Sequence, residues 1–122
     1  MTNAVQVRIM RLPHAAHFIS DLPLPSYENA NALSLDLLAS IPIEHPITIS
    51  PSTRAVVPTG LAFALPPGIE GQVRPRFGLA VHFGVTAMLQ TFDTNYRGEL
   101  HVVLFILLTD HSRWSAGCRS HN

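Results

Sequence analysis

Apolar and polar residues alternate in short runs along much of the chain, which is the pattern of half-buried β-strands. These runs occupy residues 5–9, 33–37, 47–49, 55–57, 61–65 and 71–76. Residues 100–107 form the most apolar run and predict a strand buried on both faces. Ten prolines interrupt the chain. Because proline breaks helix interiors, no segment before Gly78 predicts a helix longer than about two turns.

Turn signals separate the runs and complete the prediction of the fold. Residues 66–68 (Pro-Pro-Gly) and 95–98 (Asn-Tyr-Arg-Gly) are typical turn sequences, whereas residues 79–83 fit a short helix and a strand equally well. Strands spaced by roughly 8–12 residues predict an all-β fold, an antiparallel jelly roll or β-sandwich. With 122 residues the chain accommodates one domain, residues 1–122.

Composition adds an expectation about partners. Hydrophobic residues make up 47% of the chain and charged residues 13%, which argues against disorder and suggests that sister subunits cover part of the surface. The eight acidic residues balance eight basic ones, all of them arginine. This balance argues against a nucleic-acid partner, whereas single arginines suit the binding of individual phosphates.

Cysteine, histidine and hydropathy patterns exclude several classes of protein. Cys118 is the only cysteine, so an intrachain disulfide and a cysteine-rich zinc site are excluded. The seven histidines show no zinc spacing. The longest apolar run, residues 102–108, is far shorter than the ~20 residues that span a bilayer. With no signal-peptide pattern, we expect a cytoplasmic protein without a membrane partner.

Several segments, in order, resemble motifs of the trimeric dUTPase family. Residues 74–80 (Arg-Pro-Arg-Phe-Gly-Leu-Ala) resemble its R-P-R-S-G-L-A signature, and residues 92–100 resemble its third motif, G-x-I-D-x-D-Y-R-G-E. The other similar segments are residues 22–27, 35–39, 57–61 and 65–68. The resemblance implies a jelly roll of the dUTPase type, assembled as a homotrimer whose active sites combine residues of neighbouring chains.

The resemblance also implies a reaction, the Mg²⁺-dependent hydrolysis of dUTP to dUMP and pyrophosphate. This reaction supplies dUMP and protects DNA from uracil incorporation. Asp93 matches the general base that activates the attacking water. Asp36 matches the acidic residue that holds Mg²⁺ through water. From the residues alone, a turn-capping role is favoured for Asp93. For Asp36, a solvent-facing strand position fits as well as metal binding.

The remaining candidates line the substrate in the family that the chain resembles. Tyr96 matches the tyrosine whose ring packs on the deoxyribose and leaves no room for a 2′-hydroxyl. Arg76, Phe77 and Gly78 lie in the phosphate-binding motif. Thr91 and Phe92 match residues that line the base pocket through backbone groups. His101 matches a position near that pocket.

Departures from the family pattern keep a second function open, a catalytically inactive nucleotide-binding or scaffold protein. Phe77 replaces a serine that donates a hydroxyl near the cleaved phosphate. The segment 84–93 is about two residues shorter than usual, which changes hairpin register. Residues 110–122 lack the family pattern, leave the jelly roll incomplete at the C-terminus and predict a non-native or disordered tail.

Our hypothesis for the origin of this tail is a reading-frame shift, natural or from a sequencing error. One permitted set of codons for residues 111–122 encodes F-T-V-V-S-G-M-P-I-A-Q in another frame, which is close to the family segment.

Overall fold

The computed structural model describes residues 4–16, 22–107 and 114–116. These residues form short strands and two short helices. The helices are α1 (Pro13–Ala16) and α2 (Phe77–Phe83). The strands are β1 (Arg8–Arg11), β2 (Ile47–Ile49), β3 (Arg54–Pro58), β4 (Leu61–Ala64), β5 (Gly71–Val73), β6 (Val85–Ala87), β7 (Gln90–Phe92), β8 (His101–Ile106) and β9 (Trp114–Ala116).

All strand pairs in the described part of the chain are antiparallel. The largest sheet has the order β3-β8-β6, and three two-stranded sheets pair β1 with β4, β2 with β9, and β5 with β7. These pairs join strands that lie far apart in sequence, as in a β-sandwich. The predicted all-β, antiparallel class is confirmed.

Several predictions about individual elements need correction. Residues 74–76 lie outside β5, which ends at Val73. Residues 33–37 do not form a strand, although Leu35 and Leu37 are half-buried between exposed neighbours. Alternating burial shows which side chains face the core, whereas a strand also needs a neighbouring backbone to pair with. Residues 5–7 likewise lie outside β1, which begins at Arg8, opposite Ala64 of β4. The ambiguous segment 79–83 belongs to helix α2.

Buried apolar side chains form two clusters. The first contains Ile41, Ile49, Val57, Val85, Leu104 and Ile106, and joins β2, β3, β6 and β8. The second contains Leu61, Phe63, Val73 and Leu100, with Phe92 packed against it. Strand β8 supplies Leu104 and Ile106 to the first cluster, whereas its alternate residues Val103 and Phe105 are half-buried. Buried residues of β8 thus lie on one face only, and the prediction of a strand buried on both faces is wrong.

Helix α2 lies on the outside of this core. It contains no buried residue, and Leu79 alone packs against the first cluster. The helix ends where Gly84 donates its N–H to the Ala80 carbonyl. This arrangement leaves Phe77, Val81 and Phe83 exposed to solvent in the single chain.

The predicted tail, residues 110–122, lies mostly outside the described residues. Within it, Trp114–Ala116 form β9, whose Ala116 pairs with Ile47 of β2. The predictions for residues 110–113 and 117–122, Cys118 included, stay predictions.

Candidate active site

Asp93 begins the exposed turn between β7 and β8. Its carboxylate accepts a hydrogen bond from the Asn95 N–H at 3.1 Å, and its carbonyl accepts one from the Tyr96 N–H at 3.2 Å. Asp93 therefore caps the turn, as the alternative interpretation of this residue predicted. Since the side chain is exposed and a carboxylate has several acceptor positions, capping leaves it able to bind a water molecule or a ligand.

Tyr96 folds back onto the backbone of its own turn. Its hydroxyl donates to the Glu99 carbonyl at 2.6 Å. A Cβ on Gly98 would lie 2.9 Å from that hydroxyl oxygen, so only glycine leaves room for the ring here. The Arg97 guanidinium closes the turn by donating to the carbonyls of Thr94 and Tyr96. The ring is fixed at one end and 41% of the residue is exposed.

Thr91 and Phe92 lie in β7, opposite Gln72 and Gly71 of β5. The Phe92 ring packs on Phe63, with the ring centres 5.7 Å apart, and so points into the second core cluster. Because β5 is the only strand paired with β7 in the described sheets, the other edge of β7 offers backbone groups to a ligand. The backbone role predicted for these two residues is compatible with this geometry.

Asp36 and Arg76 form a second group. The Arg76 Nε lies 3.8 Å from an Asp36 carboxylate oxygen, and both side chains are about half exposed, at 46% and 49%. Phe77 follows Arg76 at the start of α2 and is 84% exposed. A Cβ on Gly78 would meet no atom within 4 Å. The predicted phosphate-binding motif therefore presents an open surface.

Within the described residues of one chain, Asp93 and Tyr96 form one group, and Asp36 and Arg76 form a separate one. No hydrogen bond or ion pair there joins Asp93 or Tyr96 to Asp36 or Arg76. One crevice lies elsewhere and contains none of the predicted site residues; it is lined by Arg11, Leu22, Pro23, Pro25, Leu38, Ser40, Thr59 and Leu61.

The sequence alone did not identify Glu99 and His14 as possible site residues. The Glu99 carboxylate is 11% exposed; it lies 2.5 Å from His14 Nε2 and 3.1 Å from His101 Nε2. His14 belongs to α1, far from Glu99 in sequence, and no spacing rule links the two. The turn signal at residues 95–98, the motif resemblance of residues 92–100 and the match of His101 pointed to this region, but none of them identified the contact with His14.

The described residues contain no group of three or more His, Cys, Asp or Glu side chains that could hold a metal ion. A single exposed carboxylate such as Asp36 suits Mg²⁺, which keeps several of its own waters and takes few protein ligands. No helix among the described residues is both long and apolar enough to cross a bilayer.

Comparison with known proteins gives a consistent result. The dUTPase family model matches residues 20–118. A deoxyuridine 5′-triphosphate nucleotidohydrolase of Methylocella silvestris is 48% identical over 106 residues, which cover 85% of this chain and 64% of that protein.

Solved structures also match. A variant of the dUTPase from phage phi11 of S. aureus superposes with a TM-score of 0.69 at 18% identity, covering 83% of this chain and 60% of that one. A variant of the phage 80alpha dUTPase gives 0.72 at 20% identity, covering 90% and 59%. At this identity the structures establish the fold, and the jelly-roll prediction is confirmed.

Proposed function

Because this chain belongs to the dUTPase family, we propose that it binds dUTP and hydrolyses it to dUMP and pyrophosphate. The chain spans about 64% of the length of its curated relative. The single observation that carries the proposal is the placement of Asp93 and Tyr96 in one exposed turn, which is closed by the hydrogen bond from the Tyr96 N–H to the Asp93 carbonyl. A general base and a ring that packs on the sugar, held in one turn, suit the attack of water on the α-phosphate of a deoxynucleotide.

The proposed role of Asp93 follows from its contacts. Its carboxylate accepts one N–H of the turn, which fixes its direction and leaves acceptor positions for a water molecule. An oriented carboxylate removes a proton from that water as the oxygen attacks phosphorus. Thr91 and Phe92 contribute the open backbone edge of β7 to the base, and the Tyr96 ring contributes a face to the sugar.

Arg76 would bind the triphosphate directly, and Asp36 would bind it through Mg²⁺. The Arg76 guanidinium presents a fork that fits phosphate oxygens, and the separation of 3.8 Å from Asp36 leaves both groups available. Asp36 would hold Mg²⁺ through water molecules, and Mg²⁺ neutralises phosphate charge when bound. Gly78, with open space above it, lets phosphate approach the start of α2.

A homotrimer is part of the proposal, since one chain leaves the two groups of site residues apart. Large apolar side chains on α2 and on the segment after β6 are exposed, at 58% for Val81, 50% for Met88 and 62% for Leu89. Burying such side chains against another copy of the chain is favourable. The zero net charge argues against a nucleic-acid partner, and the lone cysteine agrees with a reducing, cytoplasmic setting.

Phe77 favours a second candidate function, nucleotide binding without turnover. It stands where the family has a hydroxyl donor, and it projects from the phosphate-binding motif with 84% of its surface exposed. Loss of one donor of this kind costs about 10²–10³ in rate. A ring cannot replace it, although it can pack on a bound nucleotide.

The deciding experiment measures pyrophosphate release from dUTP by the full chain, with and without Mg²⁺, beside a dUTP-binding titration. Release that disappears in Asp93→Asn supports the enzyme. Binding without release supports the second function, and absence of both refutes the two together. Glu44→Gln, which changes an exposed carboxylate outside both groups, is the matched control.

A further inference from the structure

Asp36 and Arg76 have only each other as charged partners in the part of the chain that the structure describes. The Arg76 Nε lies 3.8 Å from an Asp36 carboxylate oxygen, and neither side chain makes another hydrogen bond or ion pair there. We propose that this pair makes Asp36 a specificity-determining residue, which selects the magnesium complex of the nucleotide against the free nucleotide. The inference rests on the proposed function, because that function assigns both side chains to the triphosphate.

The two side chains belong to backbone segments that are anchored separately. Asp36 lies between Leu35, which is half-buried, and Leu37, which packs against the second core cluster. Arg76 has an extended backbone and directly precedes α2, which contacts the first cluster through Leu79. The core thus holds both segments, whereas the charged groups themselves stay about half exposed. The two charges can therefore separate without a change in the core.

The contact between the two charges is weak enough for a ligand to break. A separation of 3.8 Å is longer than a hydrogen bond, and a half-exposed ion pair changes an equilibrium constant by at most about fivefold. A guanidinium binds phosphate oxygens through two parallel N–H groups, so a phosphate can displace the carboxylate from Arg76. Asp36 therefore lowers the affinity of Arg76 for phosphate without preventing binding.

The effect of Asp36 changes sign when a metal accompanies the phosphate. A free triphosphate must displace the carboxylate from Arg76, and it is also repelled by the negative charge of that carboxylate. Mg²⁺, when bound with the triphosphate, supplies a positive charge that the carboxylate can hold through water. Asp36 thus opposes the binding of free nucleotide and favours the binding of its magnesium complex.

Titrations of the full chain with an α,β-imido analogue of dUTP, which resists hydrolysis, test the proposal through binding alone. In EDTA, Asp36→Asn should lower the Kd of the analogue by about threefold to fivefold. In excess Mg²⁺, the same substitution should raise the Kd by about tenfold. A merely structural role would weaken binding in both conditions. A Kd that is unchanged in either condition, or that moves in the other direction, would overturn the proposal.

Further variants separate the ion pair from general repulsion. In an Arg76→Gln background, removal of the Asp36 carboxylate releases no guanidinium, so the Kd in EDTA should fall less than in the wild-type background. An equal fall in both backgrounds would mean that the carboxylate only repels phosphate, and would refute the role of the pair. Asp36→Glu keeps the carboxylate and should keep the preference for the magnesium complex. Glu44→Gln removes the same charge at an exposed position outside the pair and should match the wild type.

The same titrations with inorganic tripolyphosphate distinguish failure of this inference from failure of the proposed function. Opposite changes in its Kd, together with no binding of the dUTP analogue, would keep the role of Asp36 and remove dUTP as the substrate. Hydrolysis of dUTP, together with an unchanged Kd in EDTA for Asp36→Asn, would keep the proposed function and overturn the inference. A chain that binds neither ligand would overturn both.

Discussion

The Phe92 ring occupies the space that a side chain on Gly71 would need. The two residues are register partners in the β5–β7 pair, and a Cβ on Gly71 would lie 2.2 Å from the nearest ring atom. This contact carries Phe92 into the second core cluster, where it meets Phe63. The residue that follows, Asp93, is thereby set at a fixed point at the end of the strand.

Gly71→Ala should therefore destabilise the fold. Overpacking of this kind costs about 1–3 kcal/mol, so we expect a melting temperature several degrees lower, measured at fixed protein concentration. Gly78→Ala is the matched control, because its Cβ would meet nothing within 4 Å. Equal melting temperatures for the two variants would show that the Phe92 ring can adopt another position without loss of stability.

The Gly71–Phe92 pair also shows which parts of the fold can be predicted from the sequence and which cannot. Alternation predicted β2, β3 and β4, and a continuous apolar run predicted β8; each of these strands has a face in one of the core clusters. It could not predict that Phe92 turns inward over a glycine, because that depends on which strand lies opposite. The strand predicted at residues 33–37 failed for the same reason, as alternation carries no information about the pairing partner.

In the candidate site, too, the sequence predicts residues of local motifs but not contacts between distant segments. Motif matching found Asp93, Tyr96, Asp36 and Arg76, all of which are exposed and belong to local segments. It could not find the contact between His14 and Glu99, which depends on α1 lying beside the turn. Contacts between distant segments follow from tertiary packing, and local sequence patterns do not encode them.

Gly98→Ala should displace Tyr96. The added methyl would lie 2.9 Å from the hydroxyl oxygen and 3.1 Å from the ring carbon that bears it, so the bond to the Glu99 carbonyl would break. We expect the dUTP to UTP ratio of kcat/KM to fall about tenfold, with a smaller change for dUTP alone. Tyr96→Phe, which removes the hydroxyl and keeps the ring, distinguishes loss of the bond from movement of the ring.

Asp36→Asn should raise the concentration of Mg²⁺ that gives half-maximal pyrophosphate release. A group that holds a metal through water typically contributes 10–100-fold to its affinity, and we expect a shift of about tenfold. Folding should change little, because the ion pair with Arg76 is half exposed and long. A titration that coincides with that of Glu44→Gln would exclude Asp36 as the metal-holding residue.

Val81→Asp should prevent assembly. Val81 is 58% exposed on α2, and a charge buried between copies of the chain would lack a partner. Light scattering should give the mass of one chain for this variant and of three for the wild type. Leu33→Asp, at a residue that is 98% exposed, should stay trimeric. A monomeric wild type would contradict the proposed trimer directly.

Two substitutions of Phe77 separate steric blocking of the site by the ring from the loss of a hydroxyl donor to the phosphate. Phe77→Ala removes the ring, and Phe77→Ser removes it and supplies a hydroxyl. Since the residue is 84% exposed, both variants should fold as the wild type does. We expect Phe77→Ser to release pyrophosphate faster than Phe77→Ala by up to about 10²–10³-fold. A Kd for dUTP that falls equally in both variants indicates that the ring blocks the site, and a Kd that rises in both indicates that the ring packs on the nucleotide. Equal rates would mean that a hydroxyl at this position does not reach the reacting phosphate, and that turnover is limited by another departure from the family pattern.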